Sequence, residues 1–282
     1  MSAAETLNSR NPAAADWPAP TSRRTLAARD LYDGLVMRWM WIALAMQDIK
    51  LRYRGSTLGP FWLTISTLIM VVAMGVIYAH LLNTNIGEYI PYLTIGLVLW
   101  QFISTTITDG CNTFLNVQGV IQQVPMPFSI HAYRVVCRNL IVVAHSLIIV
   151  PFALLIFRTP VDWHVVLIVP GFLLLGLNGV WVTLLLGMTS ARFRDIPPIV
   201  GSFLQVVFFV TPIFWEADKL GRWKLFAQLN PLFAAVDVVR SPLMGHPVEP
   251  YSWLVMVATT LIGGALTFAL FTRFRSRIAY WL

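Results

Sequence analysis

The chain has 282 residues, of which 57% are hydrophobic and only 12% charged. Soluble domains carry about 25% charged residues, so this composition leaves too little polar surface for a water-borne enzyme or binding domain, and the main solvent must be lipid. The formal net charge of +7 is then read by position, because Lys and Arg mark the cytoplasmic flanks of membrane spans; it does not point to nucleic acid as a partner.

In chain order, residues 1–30 come first. They hold Pro12, Pro18 and Pro20 among many alanines and no apolar segment, and they read as a disordered cytoplasmic tail. Arg23-Arg24 would open a twin-arginine signal only before an apolar run. Arg29, Asp30 and Asp33 intervene, so no cleavable signal is expected. From there residues 31–282 read as one transmembrane domain. Leu31, Leu35, Trp39, Ile42, Met46 and Ile49 recur at spacings of four and three, with Arg38, Asp48 and Lys50 off the stripe. This predicts an amphipathic helix. Trp39 and Trp41 place it at the membrane surface, and the alternative is a solvent-exposed helix packed on the protein.

Six charge-free apolar runs follow, each near the roughly 20 residues a spanning helix needs. They cover Pro60 to Leu82, Pro91 to Thr108, Asn139 to Phe157, Val165 to Thr189, Ile199 to Trp215 and Trp253 to Thr272. The predicted fold is therefore an all-α integral membrane protein of six transmembrane helices. Fifteen of the 20 Lys and Arg flank these runs on one side, among them Arg38, Lys50, Arg52, Arg54, Arg134, Arg138, Arg192, Arg194, Arg273, Arg275 and Arg277. Arg158, Lys219, Arg222, Lys224 and Arg240 lie on the other. The richer side should face the cytoplasm, and an even number of spans puts both termini there. The 11 Trp suit a chain with two membrane–water interfaces to anchor.

Between the fifth and sixth runs, Glu216 to Pro250 is only partly polar. Trp223, Leu225, Phe226, Leu229, Leu232, Phe233, Val236, Val238 and Val239 form two short apolar stretches around Asn230-Pro231, neither long enough to span. The pattern predicts a re-entrant outer hairpin or an ordinary outer helix pair.

No Gly-x-x-x-x-Gly-Lys-Ser/Thr phosphate loop occurs, so ATP hydrolysis by that route is not expected of this chain. No His-Glu-x-x-His or paired-cysteine metal site occurs either. Cys111 and Cys137 sit in apolar or interfacial surroundings that favour buried thiols over a disulfide. Asp109 is the one acid near a span, and His145 the one ionisable group near a midplane. A lone His on an apolar helix is more often structural, so an ion-coupled carrier is disfavoured.

The segment Gln47-Asp48-Ile49-Lys50-Leu51-Arg52-Tyr53-Arg54-Gly55-Ser56, followed by Leu58-Gly59-Pro60-Phe61-Trp62, resembles the entry segment of ABC-2 type permeases for polysaccharide export. Val124-Pro125-Met126-Pro127, Arg192-Phe193-Arg194-Asp195-Ile196, Thr211-Pro212-Ile213-Phe214-Trp215 and Leu229-Asn230-Pro231-Leu232 complete the match in order and spacing, from about Asp30 to the C-terminus. The resemblance implies the membrane subunit of an exporter of lipid-linked O-antigen, capsule or teichoic-acid chains. It further implies a homodimer in a bacterial inner membrane, joined to two separate ATPase subunits that bind ATP and Mg, with no cofactor in this chain.

Beside the resemblance, each motif has its own physics. Gly55-Ser56 and Gly59-Pro60 permit a sharp turn from surface helix to span. Lys50, Arg52 and Arg54 then lie at headgroup level. They either snorkel and fix topology or meet the pyrophosphate of a lipid-linked glycan, which a guanidinium fork suits. Val117, Val120, Ile121 and Val124 follow helical spacing and Pro125 and Pro127 end the helix. By resemblance this is the coupling helix that docks on the ATPase, and its apolar stripe needs either that partner or the chain's own helices. Arg194 and Asp195 open a tight turn that makes a second contact. A sliding sugar polymer suits aromatic faces, and Phe61, Trp62, Tyr92, Trp100, Phe102, Phe209 and Phe214 are the candidates, with lipid contact or helix packing as the alternative for each. Three other functions compete: an ABC-2 permease for lipids or drugs, a membrane-bound transferase acting on polyprenol-linked sugars, and a structural or assembly protein.

Overall fold

The fold comes from a computed structural model that describes residues 22–59, 61–217, 221–222 and 224–282. Among the described residues the regular structure is helical. The elements are α1 (Arg23–Val36), α2 (Arg38–Arg52), α3 (Phe61–Leu81), α4 (Ile86–Cys111), α5 (Gln118–Gln123), α6 (Ser129–Ser146), α7 (Ile149–Ile156), α8 (Ile168–Arg192), α9 (Ile196–Val210), α10 (Lys224–Gln228), α11 (Pro231–Leu243), α12 (Pro250–Phe274) and α13 (Ile278–Trp281). Five stretches are long and apolar enough to cross a bilayer: Phe61–Leu81, Ile86–Cys111, Ser129–Ile156, Trp163–Arg192 and Pro250–Trp281. On α3 alone, Leu68, Ile69, Met70, Val72, Val76 and Ile77 are all exposed, a surface that only lipid or another apolar partner tolerates. The chain is a multi-pass membrane protein.

Helix ends follow local chemistry. Asn85 caps α4 by accepting the Gly87 N–H at 2.8 Å, and Glu88 sits in the first turn, where the helix dipole favours an acid. Asn230 caps α11 by accepting the Leu232 N–H at 2.9 Å, ahead of Pro231 in the first turn. Ser22 caps α1 through the Thr25 N–H. This helix starts inside the stretch expected to be tail: Ala27 and Asp30 are buried, so docking on the bundle orders residues that composition alone reads as disordered. The remainder of that stretch, before Ser22, lies outside the described residues.

Several boundaries move for one reason. The third span begins at Ser129 rather than Asn139, and the second runs past Asp109 to Cys111. A charge-free criterion cuts both short, but Arg138 pairs with Asp109 and, with Arg134, with Asp48, so their charge does not end the helix. Pro91 is tolerated within α4, one turn in from the start. The fifth expected span is shorter than predicted. α9 has 15 residues, about 22 Å at 1.5 Å per residue. It stops at Val210 because Pro212 pushes Thr211 out of helical geometry, to φ −86° and ψ 134°.

α4 is the centre of the bundle, packed by α3, α6, α8, α9 and α11. The largest core cluster joins Val98, Leu99 and Phe102 of α4 with Leu175 of α8, Val236 and Val239 of α11 and Met256 of α12. In lipid such a core is held by close packing and internal hydrogen bonds rather than by exclusion from water. α10 and α11 are joined at Leu229-Asn230, and α11 is buried along most of its length. Arg240, grouped by sequence with the outer-loop cations, is 3% exposed there. It donates to the Pro212 carbonyl at 2.9 Å and lies 3.9 Å over the Tyr92 ring.

The predicted surface helix is two helices, broken at Met37. Leu35, Trp39, Ile42 and Met46 of its apolar stripe are exposed, while Ala45 and Ile49 pack inward and α2 runs along α6. α1 is pinned at Asp30, whose carboxylate accepts from the Phe128 and Ser129 N–H groups and from Arg275 Nε at 2.6 Å. The Gln118 side chain meets the Leu282 carbonyl, so α1, α5 and α13 share one end of the bundle.

Candidate functional site

A groove of about 680 Å³ opens laterally between α3, α4 and α9. Its polar wall is built from α4. Gln101, Ser104, Thr105 and Thr108 fall at i, i+3, i+4 and i+7, which one helical face requires. Ser66 and Thr67 of α3 and Gln205 of α9 add to it, and Trp100, Phe208 and Phe209 supply aromatic faces. The hydroxyls are partly engaged: Thr105 and Thr108 donate to the carbonyls of Gln101 and Ser104 at 2.6 and 2.9 Å, and Thr67 donates to the Gln101 side chain at 3.0 Å. Each hydroxyl oxygen keeps acceptor capacity toward the groove.

Of the seven aromatic residues singled out from the sequence, Trp100 and Phe209 line this groove. Phe102 does not: it is 4% exposed in the main core, so it presents no face to a substrate. Tyr92 is a strut, donating to the Trp215 carbonyl at 2.9 Å. Phe214 packs edge-on against Tyr78. Phe61 packs against the His145 ring, and the His145 Nδ1 lies 2.7 Å from the Ile141 carbonyl, a structural placement for that histidine. Trp62 is exposed on α3 and is not among the residues lining the groove. The polar stripe of α4 is a feature that the aromatic candidates do not point to; its signal in the sequence is Gln101, Ser104, Thr105 and Thr108 at helical spacing inside a largely apolar span.

The α1–α2 end of the groove meets a chain of charges. Asp48 of α2 receives both Arg134 (Nε at 2.8 Å) and Arg138 (2.9 Å) of α6. Arg138 also donates to Asp109 of α4 at 2.7 Å, and Arg52 stands 3.6 Å from the same carboxylate. Burial pushes the Asp48 carboxyl up, but the two guanidiniums outweigh it and hold it below the ordinary aspartate range. Three arginines meet two aspartates, leaving one positive charge in excess. The member with the longest contact and the greatest exposure is Arg52, at 38%. Burial raises the neighbouring Tyr53 phenol, and Arg52 pulls it back in part. Lys50 and Arg54 are exposed beside it. The α2–α3 turn passes through Gly55 and Gly59 at φ +83° and +54°, values that favour glycine, and Ser56 Oγ accepts the Gly59 N–H at 3.1 Å. Pro60 lies outside the described residues.

The apolar stripe of α5 divides. Ile121 packs against the cluster of Phe114, Met188 and Phe271, Val117 is half-buried, and Val120, Val124 and Pro125 are exposed, with Pro127 half-buried behind them. Both readings of that stripe therefore hold for different residues. Arg194 and Asp195 are exposed at the α8–α9 turn. Cys111 is buried and Cys137 half-buried, both as free thiols.

A multi-pass helical bundle with an aromatic-lined groove between its helices and short helices gathered at one end has an architecture suited to a membrane transport subunit. The chain belongs to the ABC-2 type transporter family, whose model matches residues 40–244. It is similar to the O-antigen export system permease protein RfbA of Myxococcus xanthus, 26% identical over 245 residues that cover 84% of this chain and 92% of that protein. A protein of the same name from Klebsiella pneumoniae is 22% identical over 243 residues, covering 84% and 93%.

Proposed function

We propose that this chain is the permease subunit of an ATP-driven exporter that carries a lipid-linked, O-antigen-type polysaccharide across a bacterial cytoplasmic membrane. The polar and aromatic groove carries the reading. Sugar hydroxyls exchange hydrogen bonds with a ladder of Gln, Ser and Thr side chains, and Trp100 and Phe209 stack on ring faces without fixing a register. A lipid or drug carrier has no use for such a ladder within a span. The names of the relatives point to the same substrate class.

In this reading the α1–α2 end faces the cytoplasm, as the excess of Arg and Lys there supports, and both termini lie on that side. α9 with residues 211–215 serves as the fifth of six spans, and α10–α11 dips into the bilayer and returns. Its tip supports this, since Pro231 and Leu232 share a cavity with Phe102, Gly179 and Thr259 from the interiors of α4, α8 and α12. A second copy closes the open side of the groove. Arg52, the loosest member of the charged chain, leaves Asp109 for the pyrophosphate of the carrier lipid, with Lys50 and Arg54 beside it. Two ATPase subunits, which bind ATP and Mg, dock on Val120, Val124 and Pro125 and on the Arg194-Asp195 turn.

The test begins with mild-detergent purification of the tagged protein from its host and mass spectrometry of what accompanies it. A stoichiometric phosphate-loop ATPase is expected, lost from a Val120→Asp/Val124→Asp variant that remains monodisperse. Depleting the chain should strip a glycan from the cell surface while its lipid-linked form accumulates inside. Absence of any ATPase, or an unchanged surface glycan, overturns the proposal and brings the transferase and assembly readings forward.

A further inference from the structure

A second site lies far from the groove. Arg23 and Arg24 of α1 and Arg273 of α12 converge on one crevice of about 460 Å³, floored by Phe268 and Ala269 and flanked by Thr272. Several arginines at this end are matched by acids: Arg29 with Asp33, Arg275 with Asp30, Arg134 and Arg138 with Asp48. None of the three crevice arginines has an ion-pair partner among the described residues. Two of them occupy the first turn of α1, which carries no acid and is the end of a helix where the dipole disfavours cations. The Thr272 hydroxyl is buried without a hydrogen-bond partner. Like charges crowded at an unfavourable helix end, beside an unsatisfied hydroxyl, call for an anion with several oxygens.

The position says which anion. Arg273 ends the long apolar run of α12, and Leu261, Ile262 and Leu266 are exposed along the helix above it. The crevice therefore sits where acyl chains meet headgroups, with phosphate-sized space between the arginines and an apolar wall continuing into the bilayer. We infer that this crevice binds the phosphate of an anionic membrane phospholipid, gripped by the Arg23, Arg24 and Arg273 guanidiniums and accepting from the Thr272 hydroxyl, with its acyl chains against α12. Guanidinium forks match phosphate oxygens in pairs, and basic pockets at this depth are where lipid headgroups are held.

The test uses the full-length protein in nanodiscs of phosphatidylcholine doped with cardiolipin or phosphatidylglycerol, with native mass spectrometry to count retained lipid. Wild type should retain the anionic lipid over phosphatidylcholine. R23Q/R24Q/R273Q should weaken that retention at least about tenfold, whereas R29Q/R38Q/R277Q, which removes the same charge from neighbouring positions, should keep it. Thr272→Val, which disturbs no charge, should weaken it by a smaller factor. Equal loss in both triple variants would reduce the effect to surface charge, and equal retention would remove it; either overturns the inference. Displacement of the lipid by inorganic phosphate at matched concentration would also overturn it, in favour of a free-anion site.

Discussion

α4 and α9 face each other across the groove, yet they are anchored in opposite ways. α4 is surrounded, with 61% of its most apolar window buried, and its polar stripe lines the groove. α9 has one buried residue, Leu204, and carries Ile199, Phe203, Val206, Phe209 and Val210 into open space. Two glycines show the contrast in miniature. A Cβ on Gly96 of α4 would stand 2.7 Å from the Ile213 carbonyl oxygen, whereas one on Gly201 of α9 would meet nothing within 4 Å. One wall is fixed by the protein; the other depends on lipid or on a second copy. Under the proposed function, a path for a polymer uses both, a wall that holds its chemistry in place and one able to give way.

The largest effect is expected at the charged chain that ties α2 and α6 to Asp109, at the end of the fixed wall. Asp48→Ala leaves Arg134 and Arg138 short of a carboxylate in a site where Asp48 and Arg138 are each 12% exposed. It should cost about 3–5 kcal/mol, read as a drop in detergent melting temperature. The acid limb of the wild-type melting curve tests the same pair. With a folded value below the usual 3.8, Asp48 contributes its full stabilisation above that pH. The contribution is lost as pH falls through the depressed value, and Asp48→Ala should lack this step. Gly96→Val should follow at about 1–3 kcal/mol, since the clash is with backbone. On the other wall Gly201→Trp should change stability by no more than about 0.5 kcal/mol while filling the groove, so that surface glycan falls without loss of folded protein. If Gly201→Trp unfolds the chain, or Gly96→Val does not weaken it, the contrast between the walls is wrong.

Much of this was legible in the residues. Apolar run length located the five stretches long enough to cross a bilayer and the shorter α9, and Asn230-Pro231 and Gly55 marked turns that the structure contains. The failures have specific causes. Arg134, Arg138 and Asp109 were treated as span ends because pairing between helices is invisible to a linear count. Phe102 reads as path-lining from sequence because aromatic character is the same in a core as in a groove. The polar stripe of α4 has a visible spacing, but the sequence does not show that this face of the helix opens to a groove.

The sequence by itself determined that the protein belongs in lipid and that its chain is helical, because hydrophobic length and composition answer to the bilayer alone. Only the tertiary structure decided which face of each helix points where. That choice sent Ile121 inward and Val120 outward on one short helix, buried Arg240 under Tyr92, and brought Arg23 and Arg24 beside Arg273. It depends on contacts between residues far apart in the chain, which no local pattern encodes.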